Sequence, residues 1–196
     1  AMENEVKFKV IVAIDFGTHG TAIGYAPIVD NEEKEQIYVD QDWCSNTDTK
    51  NKTDILLTHD GKFITFGDDA LKKYQNKGDE DYLSDSDASD DDDDEEDDEK
   101  EKAENAARKR PMLFESFKMA LYVKKEDGSD GDIRDKLKSQ NGREWQTSKI
   151  FIEALKYMKE TIFKTFAKNG ISKTLDKDNP IKDIQWILTV PAIWSE

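Results

Sequence analysis

The chain has 196 residues, enough for one ordinary domain with a hydrophobic core, but 37% are charged and 36% hydrophobic, too polar for a chain compact throughout. The net charge of −15 is concentrated: Asp79–Lys102 carries 16 acidic and 2 basic side chains, so the rest is near neutral at −1. That balance excludes an overall basic footprint for nucleic acid. The longest apolar run, Val10–Ile14, is far short of the roughly 18 residues of a membrane-spanning helix. A single cysteine, Cys44, excludes an internal disulfide or a cysteine-rich zinc site. Glu3, Glu5, Lys7 and Lys9 break up the N-terminus where an apolar leader would lie. The expectation is a cytoplasmic or nuclear chain with neither a membrane nor a nucleic acid as partner.

The first elements read as strands. Phe8–Ile14 is β-rich and ends at Asp15, and Thr21–Ile28 is a second apolar run closed by Pro27 and Asp30-Asn31. Gln36–Val39 offers a third strand. Asp54–Thr58 and Phe63–Gly67 flank His59-Asp60-Gly61-Lys62, where Asp-Gly favours a type I′ hairpin turn. This order predicts an antiparallel meander. Asp68–Gln75 follows as a short helix.

Residues 78–104 are acidic and of low complexity, and so are expected to be disordered. The chain divides accordingly into 1–77, the insert 78–104, and 105–196. The insert reads either as a solvated linker or as a surface for basic proteins such as histones or ribosomal proteins. Ser84 and Ser89 each precede an Asp by three residues, a pattern that suits an acid-directed kinase.

Met112–Tyr122 is apolar and should pack on the domain. Lys124–Gly142 is loop-like, with a helical turn around Ile133–Leu137. Phe151, Leu155, Met158, Ile162 and Phe166 recur at helical spacing. Thr147 or Ser148 can cap that helix, and Asn169-Gly170 can end it. Ile184–Val190 reads as a buried strand, with Trp186 facing the core. Helix then strand implies an α/β layer packed on the meander. Glu196 comes directly after this strand, which reads as an N-terminal fragment, an abbreviated product or a truncated chain.

The chemically informative stretch is Ile14-Asp15-Phe16-Gly17-Thr18-His19-Gly20-Thr21. A strand ends in a carboxylate, then a small-residue turn, then another strand. Gly17 and Gly20 allow close backbone approach, and the N–H groups of such a turn can converge on phosphate oxygens. Thr18 and Thr21 add hydroxyls, and Asp15 can hold Mg²⁺ through its water shell. The same residues also suit a hairpin turn in which glycine and aspartate serve geometry alone. His59 reads as solvated at a hairpin tip, and Cys44 as an idle or buried thiol.

The pattern I-D-F-G-T-x-x-T resembles the first phosphate motif of the actin-like ATPase superfamily. Thr53–Leu57 with Asp60–Phe63 and Phe66-Gly67, then Phe114–Met119, then Trp186–Trp194 resemble, in order, three further stretches of its heat shock protein 70 family. Together they point to the divergent 12A/12B-like branch, over about residues 8–76 and 111–196. The resemblance implies an actin-like (ribonuclease H-like) lobe, a mixed sheet with an antiparallel meander flanked by helices, and an ATP- or ADP-binding, Mg²⁺-dependent chaperone-like protein. It assigns Asp15 to the Mg²⁺ water shell and Gly17, Thr18, His19, Gly20 and Thr21 to the phosphate turn. It assigns Lys118 to the attacking water and the γ-phosphate, and with Asp15 to catalysis. His19-Gly20 departs from the Thr-x pair of many relatives, at the loss of one hydroxyl. The second phosphate motif, the adenosine motif and the second-lobe carboxylates would lie beyond Glu196. A non-catalytic scaffold that uses the lobe and the acidic tract is the competing reading, with a sugar kinase of the same superfamily third.

Overall fold

In β1 (Val10–Phe16), every second residue, Val10, Val12, Ile14 and Phe16, is buried, so one face of the strand is apolar and closed. The computed structural model describes residues 8–28, 36–40, 43, 49–76, 109–121 and 133–189. The acidic insert 78–104, its serines, Cys44 and the stretch after Thr189 lie outside the described residues. The chain packs as two units, residues 1–53 with 154–196, and residues 54–153.

In the first unit β1 pairs antiparallel with β2 (Gly20–Pro27), from Val10 opposite Pro27 to Phe16 opposite Thr21. The buried side chains of β2 are Thr21, Ile23 and Tyr25. The other edge of β2 carries two short strands, β3 (Tyr38–Val39) and β4 (Asn51–Lys52). On the far side of β1 lies β10 (Ile184–Leu188), parallel to it, with Val10 opposite Ile184 and Ile14 opposite Leu188. The sheet is therefore mixed. An ionic clamp fixes the start of this parallel pair. The Lys9 N–H donates to the Asp183 carbonyl at 2.8 Å, and Lys9 Nζ pairs with the Asp183 carboxylate at 2.9 Å. That ammonium, helped by the Asp176 N–H, holds the Asp183 carboxyl below the usual carboxylate range. Lys182 acts likewise on Asp176, lowering it to about 2.

Among the described residues β10 lies at the edge of its sheet and is only partly covered: Ile184 is buried, but Ile187 and Leu188 are about half exposed. The expectation of a buried strand is corrected here, because an apolar run by itself does not distinguish a central strand from an edge.

The second unit holds β5 (Ile55–Leu57), flanked by β6 (Phe63–Phe66) and β7 (Met112–Phe114), both antiparallel to it. The hairpin thus belongs to a separate sheet and does not continue a meander from β1 to β3. Its turn also differs from type I′, which needs positive φ at two central residues. Here Gly61 has φ 84° while Asp60 does not. The Gly61 N–H closes on the Thr58 carbonyl at 3.0 Å, and the Thr58 N–H on the Lys62 carbonyl at 2.8 Å. Helix α1 (Asp68–Asn76) starts after Gly67 and carries Asp68 and Asp69 in its first turn, where the helix dipole favours them. Its Ala70, Leu71 and Tyr74 pack with Leu56, Ile64 and Leu113.

Residues expected to form a helical turn near Ile133–Leu137 instead lead into a hairpin, β8 (Lys136–Lys138) with β9 (Glu144–Gln146). Each strand has only one apolar residue, Leu137 or Trp145, so alternation had little to register.

The long helix α2 (Thr147–Lys168) ends at Gly170, whose φ of 76° suits a glycine stop. The Thr147 hydroxyl donates to the Arg134 carbonyl. Its fully buried stripe is Ile150, Ala154, Met158, Ile162 and Phe166; Leu155 is 37% exposed and Phe151 half-buried. Four-residue steps overshoot a full turn by about 40°, so the stripe follows an inclined ridge rather than the straight face expected. Met158→Ala and Ile162→Ala should therefore each cost about 2–5 kcal/mol, and Leu155→Ala about 1 kcal/mol or less. Chemical denaturation of the three variants checks this; a larger loss at Leu155 than at Met158 would contradict the assigned face.

Candidate functional site

Strand parity places Asp15 on the face of β1 opposite Ile14 and Phe16, at the strand's C-terminal end, with its side chain 45% exposed. Both carboxylate oxygens are engaged. Thr189 Oγ1 donates to Oδ1 at 2.9 Å, and Lys50 Nζ donates to Oδ2 at 2.7 Å. Thr189 arrives there because it follows β10 by one residue, and its N–H bonds the Ile14 carbonyl at 3.0 Å. The Lys50 pair is half exposed, and such pairs contribute only about 0–1 kcal/mol. It orients the carboxylate and can be exchanged at little cost.

The turn after Asp15 is tightly closed. The Gly17 N–H lies 3.1 Å from both the Asp15 and the Gly20 carbonyl oxygens. A Cβ at Gly17 would stand 2.4 Å from the Gly20 oxygen, so only glycine fits. At Gly20 a Cβ would meet Lys50 Cβ at 3.3 Å, a milder crowding than at Gly17. Thr18 is half-buried and His19 is exposed at the tip.

Buried hydroxyls support this turn from beneath. Thr53, fully buried, donates to the Gly17 carbonyl at 2.7 Å, and its oxygen lies 2.9 Å from that of Thr21, also fully buried. A hydroxyl has one proton to give. Thr53 uses its proton on Gly17, so Thr21 must donate to Thr53. The Thr21 hydroxyl is thus turned inward and committed to the fold, and the Gly17 N–H is used in closing the turn. The surface left for a ligand is the rim from Thr18 to Gly20, beside Asp15 and Lys50.

Lys118 lies in the other unit, in a 3₁₀ turn, Phe117–Leu121, after Ser116, which adopts a left-handed φ of 44°. The Ser116 N–H donates to the buried Asp54 carboxylate at 3.0 Å. Lys118 is only 3% exposed, unlike a solvated helix lysine. His59 sits in the β5–β6 turn, and its carbonyl accepts from Arg143 at 3.2 Å. Among the described residues no three His, Cys, Asp or Glu side chains gather as metal ligands. A lone, half-exposed carboxylate with hard oxygen donors fits a Mg²⁺ that keeps its waters and is held chiefly by phosphates. No helix of the described residues is long and apolar enough to cross a membrane.

Thr53, Thr189 and Lys50 were not singled out from the sequence. Thr189 had a usable signal, since polar residues at the carboxyl ends of strands in a parallel arrangement commonly meet ligands. Lys50 had none, because it lies between polar residues with no periodicity.

Comparison with known proteins matches this chain to heat shock 70 kDa protein 12A of Mus musculus at 32% identity over 96% of the chain, and of Homo sapiens at 30% over its full length. Heat shock 70 kDa protein 12B of Homo sapiens is 28% identical over 98%. These relatives are 12A and 12B members of the heat shock protein 70 family, to which the chain is similar over nearly its whole length. The chain spans about a quarter of their length, 23–24%. No protein-family profile and no solved structure matches it.

The geometry of the turn makes the two glycines unequal. Gly17→Ala should destabilise the chain by about 2–3 kcal/mol through overpacking against backbone. Gly20→Ala should cost less, about 1 kcal/mol, since its closest contact, Lys50 Cβ at 3.3 Å, asks only for a small shift of that neighbour. Urea unfolding of both variants tests the contrast, and equal losses would mean the turn is less tightly closed than described.

Proposed function

We propose that the chain forms the first ATPase lobe of actin-like (ribonuclease H-like) type and binds ATP and ADP with Mg²⁺, as part of a chaperone-like protein of the 12A/12B-like branch. The observation that carries this reading is the half-exposed Asp15 carboxylate, oriented by Thr189 and Lys50 beside a turn that only glycine can close. A hairpin that served geometry alone would have no use for an oriented carboxylate on its open side.

Each of these residues has a distinct role in this reading. The rim Thr18–Gly20 receives phosphate oxygens through the backbone, while Gly17 and Thr21 shape the turn from within. Asp15 would hold Mg²⁺ through its water shell, and the ion would neutralise charge on the phosphates. Lys118 stabilises charge on the γ-phosphate and orients the attacking water. Phosphoryl transfer depends mainly on such positioning and electrostatics. The burial of Lys118 sets it apart from a solvated surface lysine. The scaffold reading rests on residues 78–104, which lie outside the described residues, and no observation favours it.

Titration of the isotopically labelled chain with Mg²⁺ and ATP should shift the amide signals of Asp15 to Thr21 at millimolar nucleotide. Asp15→Asn should weaken the Mg²⁺-dependent part about tenfold, the equivalent of about 1.4 kcal/mol. A flat titration at these amides would refute nucleotide binding at the turn. The 196 residues alone should show no measurable turnover, since one phosphate turn cannot enclose a nucleotide. Metal-dependent hydrolysis abolished by Asp15→Ala would contradict that.

In any form of the protein that hydrolyses ATP, Lys118→Ala should leave affinity nearly intact and slow the single-turnover step by about 100-fold or more, as for loss of a group that acts in the transition state. Unchanged hydrolysis would remove Lys118 from the mechanism.

A further inference from the structure

We propose that Lys50 is a phosphate-binding residue of this site, held on Asp15 until nucleotide arrives and then transferred to the phosphates. The inference rests on the nucleotide reading above and adds a residue which that reading does not assign.

Two independent observations support it. The first is the pair itself: Lys50 Nζ lies 2.7 Å from Asp15 Oδ2, with both side chains about half exposed. The second is the course of the lysine stem. It runs against Gly20, where an added Cβ would stand 3.3 Å from Lys50 Cβ and 3.5 Å from Lys50 Cδ. Glycine at position 20 therefore gives the stem room to lie along the turn and carry the ammonium to its rim. Lys50 directly precedes β4, whose Asn51 and Lys52 pair with Thr21 and Gly20, so its backbone is tied to the same turn.

The exchange follows from charge. With Thr189 on Oδ1 and Lys50 on Oδ2, a hydrated divalent cation reaching for the carboxylate competes with the ammonium for Oδ2. Two cations do not share one exposed oxygen favourably. The incoming triphosphate offers the displaced ammonium several anionic oxygens beside the turn. A lysine suits this transfer, because its charge sits on a flexible stem and its three donors accept many geometries. Before binding, the same lysine offsets the Asp15 charge, which would otherwise repel the phosphates.

The test uses Lys50→Met and Lys50→Arg in the 196-residue chain and reads amide signals of residues 15–21. Mn²⁺ alone, followed by paramagnetic broadening near Asp15, should bind Lys50→Met more tightly than wild type, because the competitor is gone. Mg²⁺ with ATP should bind Lys50→Met about tenfold more weakly, and Lys50→Arg should recover most of that affinity. A residue that merely braced Asp15 would not move the two affinities in opposite directions. If wild type binds ATP at the turn and Lys50→Met binds it equally well, the Lys50 proposal alone is overturned. If wild type shows no shifts at the turn, both the nucleotide reading and this proposal are overturned.

Discussion

The parallel pairing of β1 with β10 sets the positions on which the site depends. It joins residues about 174 apart in sequence, and its register decides which of them meet. Lys9 meets Asp183 at one end, where one backbone hydrogen bond and an ion pair lock the alignment. Thr189 meets Asp15 at the other. A slip of one residue would turn Thr189 to the opposite face and deprive the carboxylate of its hydroxyl donor. Val10, Val12 and Ile14 make such a slip costly, because their burial fixes the face of β1 that is closed. The ionic clamp and the apolar face thus act together on a hydrogen bond at the far end of the strand.

The turn beyond Asp15 shows how a short polar segment is held without a core of its own. Its closure uses a glycine N–H shared between two carbonyls, and its floor is a relay of two buried hydroxyls, Thr21 to Thr53 to the Gly17 carbonyl. Both buried hydroxyl donors of this relay have a partner, as a dry interior requires. This accounting separates the turn into an inner part that maintains shape and an outer rim that can meet a ligand. The Thr21 hydroxyl and the Gly17 N–H both belong to the inner part, through their bonds to Thr53 and to the Asp15 and Gly20 carbonyls.

Strand and helix positions were largely legible because burial enforces periodicity. The alternation of β1 and β2, the hairpin around Gly61 and the glycine stop of α2 all lie close to where the sequence puts them. What was not legible lay where local signals are silent or degenerate. Asp-Gly is compatible with more than one turn, and only the φ of residue 60 decides between them. The stripe of α2 could begin at Ile150 or Phe151, since both are apolar, and packing selected the first. Lys136–Lys138 and Glu144–Gln146 pair with one apolar residue each. At the site, Asp15 and the glycines were visible because their chemistry is local. Lys50 and Thr189 were not, because their importance arises from strand pairing across distant sequence.

The distribution of exposure at the site bears on whether it is a relic of shape or a working surface. The interactions that hold the turn closed are buried: Thr21, Thr53 and the apolar face of β1 have almost no solvent contact. Those around Asp15 are open, with Asp15 and Lys50 side chains 45% and 54% exposed. In water-accessible surroundings an ammonium–carboxylate pair adds little stability, so the fold has little need of it. Yet both groups are delivered to one place by separate elements, β1 and the segment entering β4, with a glycine clearing the path of the lysine stem. A pair that contributes little to folding but depends on a specific backbone arrangement is better accounted for by a third, charged species than by the fold itself. A polyanion accompanied by a divalent cation satisfies both members at once, the cation taking the carboxylate and the anion taking the ammonium.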